Sequence, residues 1–501
     1  MKYNSLETDL LLNMTKQQKN DKTLSLVSKI NKMNKILFLV VLIATSCTGG
    51  LRTSDVTPYP MLEGAKESTT FAVEVNGQKI WTEHYTSNLK VDEMPNWFSD
   101  PYVLEPQEMH IASFEGDGLL EFNITVEGAP VNGTLLNPQN VVVKPLSKGV
   151  EAQVEGDKIS FNQVGSGQLV VEVEGLPPLF IFANGKEEWT PAKDEADVIY
   201  FGPGVHEAGY IEMKDNQTVY LAAGALVYGG IRAKDVSNIK VLGRGVLDGD
   251  YRYSQMVLIE ECNDILFKDV TIRNSMHWTN TLVNCRDVEY SNVKVIGFGP
   301  SSDGINPMNS QRVRITDSFI RCTDDCVAIK AMDPNHPVEQ ILVENSIMIG
   351  YAYADGVTIG FETNAEYVRD VTVRNCDILL ARGGSRVDGH SGFSIICDGP
   401  ARISNILFED IRVEKSELKL FELHITDGTE YGYGPPGHIN DITLRNIDWL
   451  HEGPIVIYGY DDNHLVQNVQ FENCRVAGIP LDIIQDDVMQ LNDYVENISI
   501  E

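Results

Sequence analysis

The sequence is short of positive charge. Its 501 residues carry 40 Lys and Arg against 72 Asp and Glu, a formal net charge of −32 at pH 7. That balance disfavours any partner that is itself a polyanion, and so argues against a nucleic-acid binder. Long apolar runs are scarce too: Ile36 to Ala44 is a run of nine, too short to cross a bilayer as a mature helix. Neither a phosphate-binding loop nor a nicotinamide fingerprint is visible, and no Ser, Cys or His nucleophile arrangement is suggested. The material for a core is present, since 43% of residues are hydrophobic and 8% aromatic. A disordered chain is therefore excluded, and the length suits one large or two ordinary domains.

Residues 33–47, from Met33-Asn-Lys through the apolar run and small residues to Cys47, resemble the signal peptide and lipobox of a bacterial lipoprotein. They read as an export signal, with 1–32 an upstream extension and Met33 a candidate start. A buried N-terminal helix is the bland alternative, disfavoured because Thr-Gly-Gly and a polar linker, 48–69, follow at once. The lipobox implies lipid on Cys47 and an exported, membrane-anchored lipoprotein, periplasmic or at the cell surface. Seven cysteines remain, at 262, 285, 322, 326, 376, 397 and 474, an odd number that leaves at least one unpaired. Cys322 and Cys326 have a metal-like interval but no accompanying His or second pair, so they read as small buried side chains. No metal or cofactor is expected.

The rest of the chain has two styles of β sequence. Over 70–190, simple alternation (Phe71-Val73-Val75, Phe122-Ile124-Val126, Val171-Val173) is cut by turns such as Asn76-Gly77 and predicts a small β-sandwich domain. It shows no convergent titratable groups, so packing against its neighbour, extending it or binding polysaccharide are its candidate roles. Over 191–501 a signature, Ile or Val, x, apolar, x, Asn or Asp, recurs eight times, with first positions at Ile265, Val288, Val313, Ile341, Val371, Ile406, Ile442 and Val469. A partial copy starts at Ile239, and the intervals run from 23 to 36 residues. Alternate apolar side chains point one way from a short strand, and the Asn or Asp takes a turn where it tolerates left-handed backbone. No copy can bury its face alone, so the copies must stack. The expected fold is all-β: a right-handed parallel β-helix preceded by the sandwich, with the longer coils over 371–442 walling a groove.

Chemistry concentrates in three successive coils. Asp303, in Ser302-Asp303-Gly304, precedes Asp324-Asp325-Cys326 by 21 residues, close to one coil. The three carboxylates should therefore converge on one face, adjacent coils lying about 5 Å apart. Val327 and Ile329 should point inward, leaving Asp324, Ala328 and Lys330 outward, with Asp325 at the turn. Mutual repulsion among such acids keeps one protonated as a general acid while another stays ionised as a base, the pair that glycoside hydrolysis needs. An Asp ladder on a solvated turn is the bland alternative, favoured for Asp317 and Asp410. A calcium site is the other, weakened by Lys330 on the same face.

These motifs, with Ala328-Ile329-Lys330 and the upstream Gly243-Arg-Gly245-Val-Leu-Asp248-Gly249, resemble the polygalacturonase family of glycoside hydrolases over roughly 198–480. The resemblance implies that Asp324 protonates the leaving oxygen while Asp303 and Asp325 activate the attacking water, giving inversion. Two motifs depart from the family pattern. Where the family has Gly-His-Gly the chain has Ala354-Asp355-Gly356, and the nearest match to Arg-Ile-Lys is Arg386-Val387-Asp388, with Arg382 as the alternative base. His390 is left without a role. Those basic residues would hold a galacturonate carboxylate, so a neutral glucan becomes the second reading, as in the dextranase-like enzymes of the same clan, which also place a β-sandwich before the β-helix. A polysaccharide lyase and a non-catalytic glycan-binding solenoid are more distant alternatives.

Lys330, Tyr351, Tyr353, Asp355, Arg382 and Arg386 are the candidate substrate contacts. Trp278, Tyr458 and Tyr460 are further aromatic platforms for which ordinary partial burial is the simpler reading. The expected partner is a polysaccharide, and the expected state a monomer.

Overall fold

Strict alternation builds the first two sheets. The computed structural model describes residues 54–87, 107–127, 137, 139–382, 390–429, 431–432, 434–484 and 488–501. Phe71–Val75 and Leu119–Val126 pair antiparallel and send Phe71, Val73, Val75, Phe122, Ile124 and Val126 to one side. With Gln78–Ile80, Lys158–Val164 and Gln153–Glu155 they form a five-stranded sheet. It shares its core with a seven-stranded sheet that includes Thr82–Thr86, Glu108–Gly116, Gly167–Val173 and Leu179–Asn184. Val56–Pro58 and Lys66–Glu67 belong to that second sheet, so a stretch expected to be linker contributes edge strands. Residues 1–53, with the export signal and Cys47, lie outside the described residues.

Leu179–Asn184 is buried on both faces. Leu179 and Ile181 enter the sandwich core, whereas Phe180 and Phe182 pack on Phe298, Phe319, Ile347 and Leu379 of the following coils. Residues 54–501 accordingly form one compact unit.

From Val198 onward the structure is a right-handed parallel β-helix. A single 31-stranded sheet follows chain order, and most strands pair in parallel with the strand three places on, so three strands make a coil. The signature strands stack as one face, from Ser237–Gly243 through Asn263–Lys268 and Arg286–Ser291 to Val495–Ile500. Their apolar positions fill one continuous core, in which Phe267 and Tyr290 stack at 4.6 Å.

All eight predicted turn residues, Asp269, Asn292, Asp317, Asn345, Asn375, Asp410, Asn446 and Asn473, have positive φ, between 49° and 72°. Their side chains bond from coil to coil, as in Asn375 Nδ2 to Asn345 Oδ1 (2.7 Å) and Asn446 Nδ2 to Asp410 Oδ1 (2.8 Å). The seven cysteines after Cys47 are buried free thiols. Burial pushes Cys376 and Cys397 up to about 12, which keeps them as inert packing groups.

Candidate active site

Parallel register brings the acids together. The strands Ile305–Met308, Val327–Ala331, Val357–Thr363 and Ser391–Cys397 succeed one another on one face, with Ile305 opposite Val327, Val327 opposite Val357, and Val357 opposite Phe393. Two residues before each lie Asp303, Asp325, Asp355 and Ser391. Adjacent members are therefore one inter-strand spacing apart, about 4.8 Å. Backbone bonds continue the register into the turns: Gly304 N–H donates to the Asp325 carbonyl (2.9 Å) and Cys326 N–H to that of Asp355 (3.0 Å). The rungs meet closely there. A Cβ on Gly304 would lie 2.4 Å from the Cys326 carbonyl oxygen, and one on Gly356 would lie 2.6 Å from Ile378 Cδ1. At Gly304, where the clash is with backbone, glycine is what lets Asp303 stack on the Asp325 rung.

The side chains repeat one arrangement. Asp325 Oδ1 accepts the Asp355 N–H (2.8 Å), and Asp355 Oδ1 accepts the Ser391 N–H (2.7 Å). Asp303 Oδ2 accepts from Asn306 Nδ2 (3.1 Å) and lies 3.8 Å from Lys330 Nζ. Asp324 Oδ1 accepts the Asp325 N–H (3.0 Å). Asp303 and Asp325 are buried at 2% and 6% exposure, whereas Asp324 is half-buried.

Electrostatics follow from this crowding. Burial holds the Asp303 carboxyl well above the usual range; Asp324, Asp325 and Glu362 add to the rise, and Lys330 opposes it. Burial, with Asp355 and Asp324, pushes Asp325 up to about 8, against the pull of Lys330 and the Asp355 N–H. Burial alone would lower Lys330, but Glu362, Asp303 and Asp325 outweigh it and raise it. His390 is raised in the same way: burial opposes its charge, while Asp355, at 3.8 Å, with Asp325 and Asp324, favours it. The set therefore retains protons at pH values where isolated carboxyls are fully ionised, and shares them between coupled groups.

The other predicted contacts separate into three groups. Asp355 joins the acid stack, and Tyr353 reaches the site's edge, its hydroxyl accepting the Ser301 N–H (3.2 Å). Lys330 does not face solvent as its strand parity suggested. It is 6% exposed, pairs with Glu362 (2.8 Å) and lies 5.2 Å from the Trp278 ring centroid. Loop residues such as Trp278 close over the outward side of this face, which sequence alternation cannot show. Tyr351 and Arg382 turn toward the sandwich. The Tyr351 ring lies against the Arg321 and Arg382 guanidiniums, at 4.2 and 4.9 Å, and Arg382 pairs with Glu417 (3.1 Å), so the ring is stacked on cations. Both residues line a cavity between sandwich and helix. Arg386 lies outside the described residues.

Glu362 was not singled out by the sequence, and His390 had no role there. Asp325, Asp355 and His390 place potential metal-donor atoms within 4.8 Å of one another, but two of the carboxylate oxygens already accept backbone N–H groups and the imidazole lies beside Asp355.

The model of glycosyl hydrolases family 28 matches residues 217–480, just over half of the chain. The chain belongs to that family. The matched segment contains every acid of the stack described above but none of the sandwich. Similar curated proteins include a probable exopolygalacturonase B of Aspergillus oryzae, 24% identical over 274 residues that cover 49% of this chain and 60% of that one. Exopolygalacturonase B of Aspergillus niger is 23% identical over 247 residues, covering 42% and 53%. The chain thus spans about 60% or less of the length of these relatives. Among solved structures, Dex49A from Penicillium minioluteum aligns over 88% of this chain and 96% of its own, with a TM-score of 0.68 and 15% identity. That overlap reaches beyond the family 28 segment and shows a shared fold.

Proposed function

We propose that this family 28 enzyme hydrolyses the O-glycosidic bonds of a polysaccharide with inversion. The observation that carries the reading is the convergence of Asp303, Asp324 and Asp325 in adjacent rungs, with raised pKa values on the two buried members. Asp324, the most exposed of the three, protonates the glycosidic oxygen. Asp303 and Asp325 hold the attacking water between them, one ionised and one protonated, and Lys330 beside Asp303 favours the ionised form there.

The substrate we favour is a neutral or lightly charged glycan. Lys330 is committed to Glu362 and Asp303, and Arg382 to Glu417, so neither is left to receive a uronate carboxylate. A galacturonan is the second reading, supported by the names of the curated relatives.

A panel of dextran-type, pectic and other plant or microbial glycans tests both readings. Release of reducing ends is expected from at least one, and Asp324→Asn should abolish it while leaving the fold intact. Retained activity in that variant, or growth of an ultraviolet-absorbing unsaturated product, would sink the assignment.

We further propose export with a lipid on Cys47, supported by residues 33–47 alone. Labelled palmitate should enter the expressed chain and be lost in Cys47→Ser; an unlabelled wild-type chain contradicts the anchor.

A further inference from the structure

We propose that Glu362 is a positioning residue that sets the charge state of Asp303, by holding Lys330 between the two carboxylates. The inference rests on the reading of Asp303 as a water-activating group, and it adds a residue that no sequence motif marks.

The backbone is bent to make this contact. Val327–Ala331 and Val357–Thr363 pair in register at Ile329 and Ile359, but Ala331 then pairs with Thr363, so the second strand spends two extra residues where it passes Lys330. Such a bulge re-aims a side chain. Within it, Glu362 adopts φ 58°, an uncommon conformation for a non-glycine residue. Gly360, at φ 106°, allows the turn, because a Cβ there would meet the Ile396 carbonyl oxygen at 2.0 Å. The product of this irregularity is one ion pair of 2.8 Å, in which both residues are 6% exposed.

Its consequence falls on Asp303. The charged groups facing that carboxyl are Asp324, Asp325, Glu362 and Lys330; Lys330 in turn faces Glu362, Asp303 and Asp325, with His277 also within its influence. Lys330 lies 2.8 Å from Glu362 but 3.8 Å from Asp303, so its charge is drawn mainly to the residue outside the reaction. Glu362 also adds its own negative charge to the field at Asp303. Both effects make Asp303 harder to ionise. Removing the Glu362 charge leaves Lys330 still compensated by Asp303 and Asp325, so Glu362→Gln should fold.

The test is the pH profile of kcat/KM. Glu362→Gln should move the acid limb to lower pH by about one unit, the lower end of the usual effect of a neighbouring charge. Glu362→Asp, which keeps the charge on a shorter arm, should move it less. A limb that stays in place in Glu362→Gln, or moves equally in both variants, overturns the proposal. An infrared titration of the protein alone reads the same quantity without turnover: the protonated carboxyl band missing in Asp303→Asn should titrate at lower pH in Glu362→Gln, and an unmoved titration also overturns the proposal. If no glycan is cleaved, the proposed reaction fails while the infrared result still decides the role of Glu362.

Discussion

Asp325 illustrates how the site trades stability for chemistry. Its carboxyl is raised to about 8 in the folded chain, against about 4 for an unfolded aspartate. Between those values the native state binds the proton more tightly, so stability falls as pH rises through the window. Asn at this position can still accept the Asp355 N–H and carries no titrating group. Asp325→Asn is therefore expected to gain in melting temperature over the wild type progressively from about pH 4 to about pH 8. A difference that does not change with pH would contradict the raised carboxyl. Asp303 and Asp325 were legible from their spacing because the coil between them is short. Asp355 was expected as a substrate contact but not as a member of the acid stack, and His390 had no expected role: successive rungs there are 30 and 36 residues apart, and loop insertions hide the register. Glu362 was hidden for a different reason, since a bulge leaves no periodic trace.

At the scale of the element, the turn ladder carries the fold. Asn345 has φ 54°, donates to Asp317 Oδ1 (3.2 Å) and accepts from Asn375 Nδ2 (2.7 Å). Asn345→Ala should cost about 2 kcal/mol, through left-handed strain and lost hydrogen bonds. Asn345→Gly, relieved of the strain, should cost about half as much. Urea denaturation compares them, and equal losses would show that backbone conformation contributes nothing. These turns could be read directly from the sequence, because Asn and Asp recur where left-handed backbone is needed. A second column of positive φ, one residue before the first apolar position of each signature, was missed. It includes Asp264 and Asp287, but also Arg312 and Gln340, which are poor turn residues. There the stacked neighbours impose the bend, and local preference is overridden.

At the scale of the whole molecule, the sandwich braces the coils that lead into the site. Arg273 is buried and bonds Asp248 of the previous coil (2.7 Å) and Glu83 of the sandwich (3.0 Å), and Tyr85 Oη donates to Asn274 Oδ1 (2.6 Å). Lys144 of the sandwich similarly approaches Glu414, at 3.4 Å. Phe180 and Phe182 close the apolar part of this contact. Alternation predicted the sandwich strands, and the both-faced burial of Leu179–Asn184 explains why that strand is apolar at successive positions. The attachment itself depends on pairs far apart in sequence, beyond the reach of any local pattern.

Direct displacement by water, proposed for the acid stack of this chain, fixes the configuration of the product. Proton NMR of the first product released from a cleaved glycan measures this most directly. Direct displacement should give a newly formed anomer opposite to that of the bond broken, ahead of mutarotation; a product of retained configuration would rule it out.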